Sequence, residues 1–343
     1  MMTFGWDLGG AHVKLAVLDG KGHLARAEQV PCRLWLGLGE LEQALRALGG
    51  ADVPNERHAV TMTGELVDLF PDRATGVQAI VETFLKITGA RDVVILAGDT
   101  FVEPDLARTH WHTVASANWR ATLQMTARLV DEALVVDIGS TTTDLMLVTS
   151  GKPVDGVEDD HGRLAAETLV YTGVVRTPLM AFAQRAPFGG RWVGLMAEYF
   201  ATSGDLYRIS GELDPAFDHS DTADGRGRSK AESVVRLVRM IGLDPSSAPA
   251  AAWEQLAGWF ARLQLDRLRD ACQRQFSRGA VGPAAPLVGL GVGAFVVQKL
   301  AATFARPYLD FATLAKVPPE LAPAAAVCGP ALAVARLAFD RNR

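Results

Sequence analysis

Two stretches of this chain share one pattern: an apolar run, an aspartate, a small glycine-bearing turn, and a second apolar run. The first is Phe4-Gly5-Trp6-Asp7-Leu8-Gly9-Gly10-Ala11-His12-Val13-Lys14-Leu15-Ala16-Val17. The second is Leu134-Val135-Val136-Asp137-Ile138-Gly139-Ser140-Thr141-Thr142-Thr143-Asp144-Leu145-Met146-Leu147-Val148. Each predicts strand, tight turn, strand. Between them, leucines at 38, 41, 45 and 48 keep helical spacing up to Gly49-Gly50. Short apolar runs at 58–63 and 92–96 predict strands, and 75–85 and 117–130 predict helices. Strands alternating with helices imply an α/β fold.

After Val154 the pattern becomes mostly helical, over 165–169, 179–184, 193–199, 231–241 and 252–275. A polar stretch at 214–230 reads as a solvated loop, with a length and charge that also suit an active-site lid. A glycine-bearing strand at 285–292, a helix at 294–304 and a buried helix from about Pro323 close the chain. The expected division is a first lobe over 1–131 and a second over 132–343, with a mostly helical insertion at about 155–284.

Composition narrows the class. The chain has 343 residues, enough for two domains, with 49% hydrophobic and 21% charged residues. A formal net charge of -5 argues against a general nucleic-acid or anionic-membrane role, so any phosphate site must be local. Cys32, Cys272 and Cys328 form no CxxC pair and read as reduced, buried thiols of a cytosolic protein. The N-terminus carries no secretory leader pattern, and no uninterrupted apolar stretch is long enough to span a bilayer.

The candidate chemistry lies in three glycine-bearing turns. Gly9 and Gly10 suit a turn with unusual backbone conformations whose N–H groups meet an anion. Asp7 can orient water on a divalent cation, and Lys14 can neutralise phosphate, although an ordinary hairpin would read the same way. In the second turn Gly139 and the hydroxyls of Ser140, Thr141, Thr142 and Thr143 suit phosphate oxygens, while Asp137 and Asp144 can hold magnesium. Finding the pattern twice suggests two half-domains closing on one phosphorylated ligand. Gly289-x-Gly291-x-x-Ala294 matches a dinucleotide fingerprint, with Asp310 near the spacing of a ribose-binding acid. Too little chain follows for a Rossmann fold. A ligand-lining turn including Gly293, or plain helix–strand packing, remains. No GxxxxGK[ST] loop or GxSxG elbow occurs, and His110 and His112 read as surface histidines.

The order Asp7-x-Gly9-Gly10, then Asp137 to Asp144, then the late glycines resembles the actin, sugar-kinase and Hsp70 superfamily. In that superfamily the aspartate turns are phosphate loops of two ribonuclease-H-like halves around a cleft, and the late glycines line the nucleoside site. The second loop is similar to the hydantoinase/oxoprolinase branch. Asp160-His161-Gly162-Arg163-Leu164, Leu169-Val170-Tyr171-Thr172-Gly173-Val174-Val175-Arg176-Thr177-Pro178, and Thr222-Ala223-Asp224-Gly225-Arg226-Gly227-Arg228-Ser229-Lys230 resemble a smaller group within it. That group is linked to tetrahydromethanopterin-dependent one-carbon metabolism and includes an enzyme of methanofuran biosynthesis.

The resemblance implies a cytoplasmic transferase. It would join an (aminomethyl)furanylmethyl diphosphate to a tyrosine- or tyramine-type phenol and release pyrophosphate. Mg2+ would be held by Asp7, Asp137 and Asp144, and one of these would accept the phenolic proton. ATP would be optional. Arg163, Arg176, Arg226 and Lys230 would meet substrate carboxylates, with surface ion pairing the alternative. Tyr171, Asp224 and Asn118 are further candidates for substrate contact, Asn118 equally for an N-cap. The expected partners are small molecules, not nucleic acid or membrane. The first loop has Gly10-Ala11-His12 where many kinases carry Ser or Thr, which points away from ordinary phosphoryl transfer. An ATP-dependent kinase or hydrolase, and a non-catalytic nucleotide-binding scaffold, are the competing readings.

Overall fold

A computed structural model describes residues 1–341 apart from 155 and 158. The chain forms two compact units. The first comprises Met1–Ala133, Met146–Asp160 and Leu309–Arg343, and the second Leu134–Leu145 and His161–Tyr308.

The first unit is built on β1 (Thr3–Leu8), β2 (His12–Leu18), β3 (Leu24–Pro31), β4 (Arg57–Met62), β5 (Asp92–Ala97) and β6 (Thr100–Val102), in the order β3-β2-β1-β4-β5-β6. β1 pairs antiparallel with β2 and parallel with β4. Every residue of β1 is buried, because helices cover both faces of a strand at the centre of such a sheet. Helices Leu38–Ala47 and Arg73–Thr88 supply part of that cover; Asp72 caps the latter at Thr75 N–H, and left-handed Gly89 ends it.

The helix Gly329–Asp340 covers the other face, against β1, β2 and β4. This departs from the expected boundary, which assigned the C-terminal residues to the second lobe. The cause is steric. A Cβ on Gly5 would sit 2.6 Å from Ala335 Cβ, so a glycine facing alanines lets the helix lie directly on the strand. Among the described residues no single helix is long and apolar enough to cross a membrane. A bent pair, Pro319–Val327 with Gly329–Asp340, meets that test by length and composition only.

The remaining strands are β7 (Ala133–Ile138), β8 (Thr143–Thr149), β9 (Lys152–Pro153), β10 (Leu169–Val170), β11 (Arg185–Phe188), β12 (Arg191–Gly194), β13 (Leu287–Leu290) and β14 (Tyr308–Asp310); β10 to β13 belong to the second unit, β9 to the first, and β7, β8 and β14 run across the division. The sheet order is β10-β8-β7-β13-β14, the same third-second-first-fourth-fifth order as the first five strands of the other sheet. That repeated order is ribonuclease-H-like. Between β10 and β13 lies the mostly helical insertion, whose expected start at 155 lies outside the described residues. Its helices are Ser203–Ser210, Lys230–Arg239 and Ala250–Phe276.

Local expectations fail here, including a helix over 179–184, where only one 3-10 turn forms at Leu179–Ala181. The stretch 193–199 is not helical: β11 and β12 form a hairpin through Gly189 and Gly190, whose positive φ values of 56° and 72° make a two-residue turn that suits strand twist. Leu169 ends in a strand rather than a helix.

Candidate active site

In the first unit, Asp7 sits at the end of β1 directly opposite Lys14 on β2, with Oδ2 and Nζ 3.4 Å apart. Asp7 is buried, because the whole of β1 is covered. The turn closes with Gly9 N–H donating to His12 O at 3.0 Å. Neither Gly9 nor Gly10 has a positive φ, so the expected need for unusual backbone conformations does not hold. The glycines are required by close approach instead. A Cβ on Gly9 would lie 2.8 Å from His12 O, and one on Gly10 would lie 2.5 Å from Val67 Cγ1.

The second unit repeats this closure: Gly139 N–H donates to Thr142 O at 2.9 Å. Among the described residues the backbone N–H groups of Gly10, Ala11, Ser140 and Thr141 donate no hydrogen bond. Each turn therefore offers donors for an anion.

The second turn is braced from behind. Ser140 O accepts from Val175 N–H at 3.1 Å and Arg176 N–H at 2.8 Å, and Gly139 O accepts from Val174 N–H. Thr143 Oγ1 donates to Thr172 O at 2.7 Å. Gly173 lies so close that a Cβ there would meet Thr141 N at 2.5 Å. Gln264, fully buried, donates to Thr172 Oγ1 at 2.9 Å and Gly173 O at 2.8 Å, and accepts from Tyr207 OH at 2.6 Å. Ser203 Oγ also donates to Gly173 O. The Tyr-Thr-Gly-Val-Val-Arg-Thr-Pro run is thus a backbone brace for the turn. Sequence reasoning missed Gln264, Tyr207 and Ser203; nothing in their spacing marks them.

The late glycines serve the same turn. Gly291 has φ +83°, and a Cβ there would lie 2.5 Å from Asp137 Oδ1. Gly293 N–H donates to Ile138 O at 2.9 Å, and a Cβ on Gly293 would press on the Ile138 side chain. Gly289 accommodates the Tyr308 ring. Their visible role is to let a strand-to-helix turn close on Asp137. Asp310, matched to a ribose-binding acid in the fingerprint, caps a short helix at Thr313 N–H.

The remaining candidates divide. Asp144 is engaged by Arg163, which is buried and donates to it at 2.6 Å. Arg163 thereby occupies Oδ1, one of the two Asp144 oxygens that the expected metal-ligand role would draw on. Arg176 reaches Thr141 Oγ1 at 3.5 Å, beside the turn. Asp224 pairs with Arg236 at 3.0 Å, and Lys230 with Glu254 on the surface, so both are taken up within the insertion. Arg226 and Tyr171 are exposed. Asn118 opens its helix as the first residue and is not the cap, which is Ala117.

The loop at 214–230 is anchored rather than loose. Asp218 accepts from Arg208 at 2.6 and 2.8 Å, and Asp205 binds Arg208 and Arg236, all buried.

Among the described residues no group of three or more His, Cys, Asp or Glu side chains is disposed to hold a metal ion. Magnesium usually uses one or two carboxylates plus substrate phosphates rather than a larger protein cage. Asp7 and Asp137 are oxygen donors of that kind. His110 joins the short helices Pro104–Thr109 and Trp111–Val114, His112 lies on the second, and both are exposed. Burial pushes all three cysteine thiols up to about 12, so none is reactive.

One group at the first turn was not foreseen. Glu65, just past β4, is buried, and Ser116 Oγ donates to its Oε1 at 2.8 Å. Desolvation holds its carboxyl above the usual range. The Gly64-Glu65 dipeptide carried no sign of this, because a glutamate after a strand is ordinarily exposed.

Comparisons with known proteins bear on the family and on the fold. The hydantoinase/oxoprolinase family model matches residues 56–317. A curated relative from Methanocaldococcus jannaschii is 30% identical over 245 residues, 71% of this chain and 72% of its own. It is named (4-{4-[2-(gamma-L-glutamylamino)ethyl]phenoxymethyl}furan-2-yl)methanamine synthase. A protein of the same name from Methanococcus vannielii is 29% identical over 40% of this chain and 61% of its own. Among solved structures, nucleotide-free acetone carboxylase has a TM-score of 0.57 at 13% identity, over 97% of this chain and 70% of that one, a likeness of fold alone. The chain belongs to the hydantoinase/oxoprolinase family.

Proposed function

We propose that this protein joins a furanylmethyl diphosphate to the oxygen of a tyrosine- or tyramine-type phenol, releasing pyrophosphate, in methanofuran-type cofactor assembly. The observation that carries the reading is the matched pair of turns with undonated N–H groups, each beside a buried aspartate, in a chain similar to two proteins named as such synthases.

The chemistry asks little of the enzyme at carbon. Furan electron release stabilises a methylene cation, so the carbon–oxygen bond breaks early and the main task is to receive the departing charge. Lys14 and the N–H groups of Gly10, Ala11, Ser140 and Thr141 are suited to phosphate oxygens. Thr141 and Thr142 add neutral hydroxyl donors. Asp7 in the first unit and Asp137 in the second are each an oxygen donor of the kind magnesium takes, and magnesium would supply further neutralisation of the leaving group. The Thr172–Thr177 brace keeps the second turn's donors oriented, so little reorganisation is needed as charge develops.

The reading requires no ATP. Purified protein given the furan diphosphate, a tyramine-type phenol and Mg2+ forms the aryl ether and pyrophosphate in equal amounts. ATP turnover with no ether formed supports the kinase or hydrolase alternative instead.

A further inference from the structure

Glu65 and Ser116 form an arrangement the synthase chemistry leaves unassigned. Ser116 Oγ lies 2.8 Å from Glu65 Oε1 and 3.2 Å from Asp160 Oδ2, and Arg73 donates to the same Asp160 oxygen at 2.6 Å. Glu65 is 1% exposed, and its Oε2 has no hydrogen-bond partner among the described residues. A buried carboxylate with an unused oxygen is costly to fold, and such groups concentrate where proton chemistry needs them. Ser116 is only partly buried and has φ +52°, a left-handed conformation that a non-glycine residue adopts at a cost.

The arrangement abuts the first turn. Thr63 Oγ1 lies 3.6 Å from the position a Cβ would take on Gly9, and Gly64 Cα lies 3.9 Å from the position a Cβ would take on Gly10. Glu65 is the next residue.

One hydroxyl proton cannot satisfy two carboxylates at once. With Glu65 protonated, Glu65 donates to Ser116 and Ser116 donates to Asp160. With Glu65 ionised, Ser116 turns its proton to Glu65. The addition of a single proton therefore switches the direction of the chain.

We propose that Ser116 and Glu65 form the proton relay that deprotonates the attacking phenol. The inference rests on the synthase reading. As the phenol oxygen bonds to the methylene carbon, the carbon–oxygen bond to the diphosphate breaks and its electron pair leaves with pyrophosphate. The phenolic proton passes to Ser116 Oγ, and the serine proton passes to Glu65 Oε1. Arg73 and Asp160 are the charged groups facing Glu65, and their opposite signs limit their net effect on it. Burial raises the Glu65 carboxyl, which brings its affinity for a proton closer to that of a working base near neutrality.

The test compares wild type with Glu65→Gln and Ser116→Ala, each with tyramine and with a ring-fluorinated tyramine that ionises more readily. The relay predicts that Glu65→Gln lowers kcat at least 100-fold with tyramine, with the KM for the diphosphate unchanged, in the range typical of a lost general base. The loss shrinks below about tenfold with the fluorinated phenol, which needs less help losing its proton. A threefold loss or less, or an equal loss with both phenols, overturns it. Infrared difference spectra across pH supply a readout independent of turnover. A protonated-carboxyl band must vanish in Glu65→Gln; a band unchanged by that substitution also overturns the relay. If the band behaves as expected but wild type makes no ether, the functional reading fails while the shared proton stands.

Discussion

Arg163 donates to Asp144 Oδ1 at 2.6 Å from a side chain only 3% exposed. This pair sits at the far end of the second turn, where β8 meets β10 through Asp144 and Leu169. Removing one member leaves a buried charge without its counter-ion. Arg163→Met is expected to cost about 3 kcal/mol in denaturant unfolding. Pairing it with Asp144→Leu should recover much of that loss, because both charges are then gone. A double variant as unstable as the sum of the singles would show that the two residues do not act as a pair.

Gly173 gives a sharper probe of the brace. A methyl group there meets the backbone of Ser140 and Thr141, which cannot move like a flexible side chain. Gly173→Ala should cost about 1–3 kcal/mol from overpacking, and should weaken inhibition by pyrophosphate by shifting the turn's donors. At Gly211, where φ is +79° and no atom lies near, alanine costs only backbone strain and leaves pyrophosphate inhibition intact. Equal inhibition of both variants would disconnect the brace from anion binding.

His58 sets an acid limit on the first unit. Trp6 Nε1–H donates to its Nδ1 at 3.1 Å, and its Nε2 bonds Val53 O at 3.0 Å, so the neutral ring carries its proton on Nε2. Burial lowers its affinity for a second proton. The unfolded chain takes up that proton near pH 6.5 while the folded ring resists it, so unfolding gains protons and stability falls as pH drops below about 6.5. The loss levels off once the folded ring is itself protonated. Urea midpoints measured from pH 7.5 to pH 5 should decline in wild type and decline less in His58→Phe, whatever the absolute stability of that variant.

The loop at 214–230 should behave as anchored. Asp218 and Asp224 tie it to Arg208 and Arg236 on two helices of the insertion. Wild type should resist limited proteolysis between residues 214 and 229, and Asp218→Ala should be cut there first. Rapid cleavage of wild type in the loop would restore the lid reading.

The parts of the fold carried by short-range pattern were legible in the amino-acid order. Asp7 and Asp137 at strand ends, the tight turns after them, and the helix over Leu38–Ala47 follow from local periodicity. What was hidden depends on pairings distant in sequence. Gly5 reads as a weak point in a strand until Ala335 is found against it. Arg163 and Asp144 were both singled out, yet nothing in their spacing says that one neutralises the other. Gly189-Gly190 was overlooked as a hairpin turn because the apolar residues after it also fit a helical spacing. Glu65 was passed over because its burial is created by the helix Arg73–Thr88, where Gly76 lets its backbone approach.

Attack of the phenol oxygen on carbon, with departure of the diphosphate, is read directly by an oxygen label. Phenolic substrate carrying 18O is incubated with the furan diphosphate, and the products are resolved by mass spectrometry. The label is expected to be retained in the aryl ether and absent from pyrophosphate, with Asp137→Asn slowing its appearance. Label found in an aryl phosphate, with the furan carbon–oxygen bond intact, would contradict it and point to phosphoryl transfer.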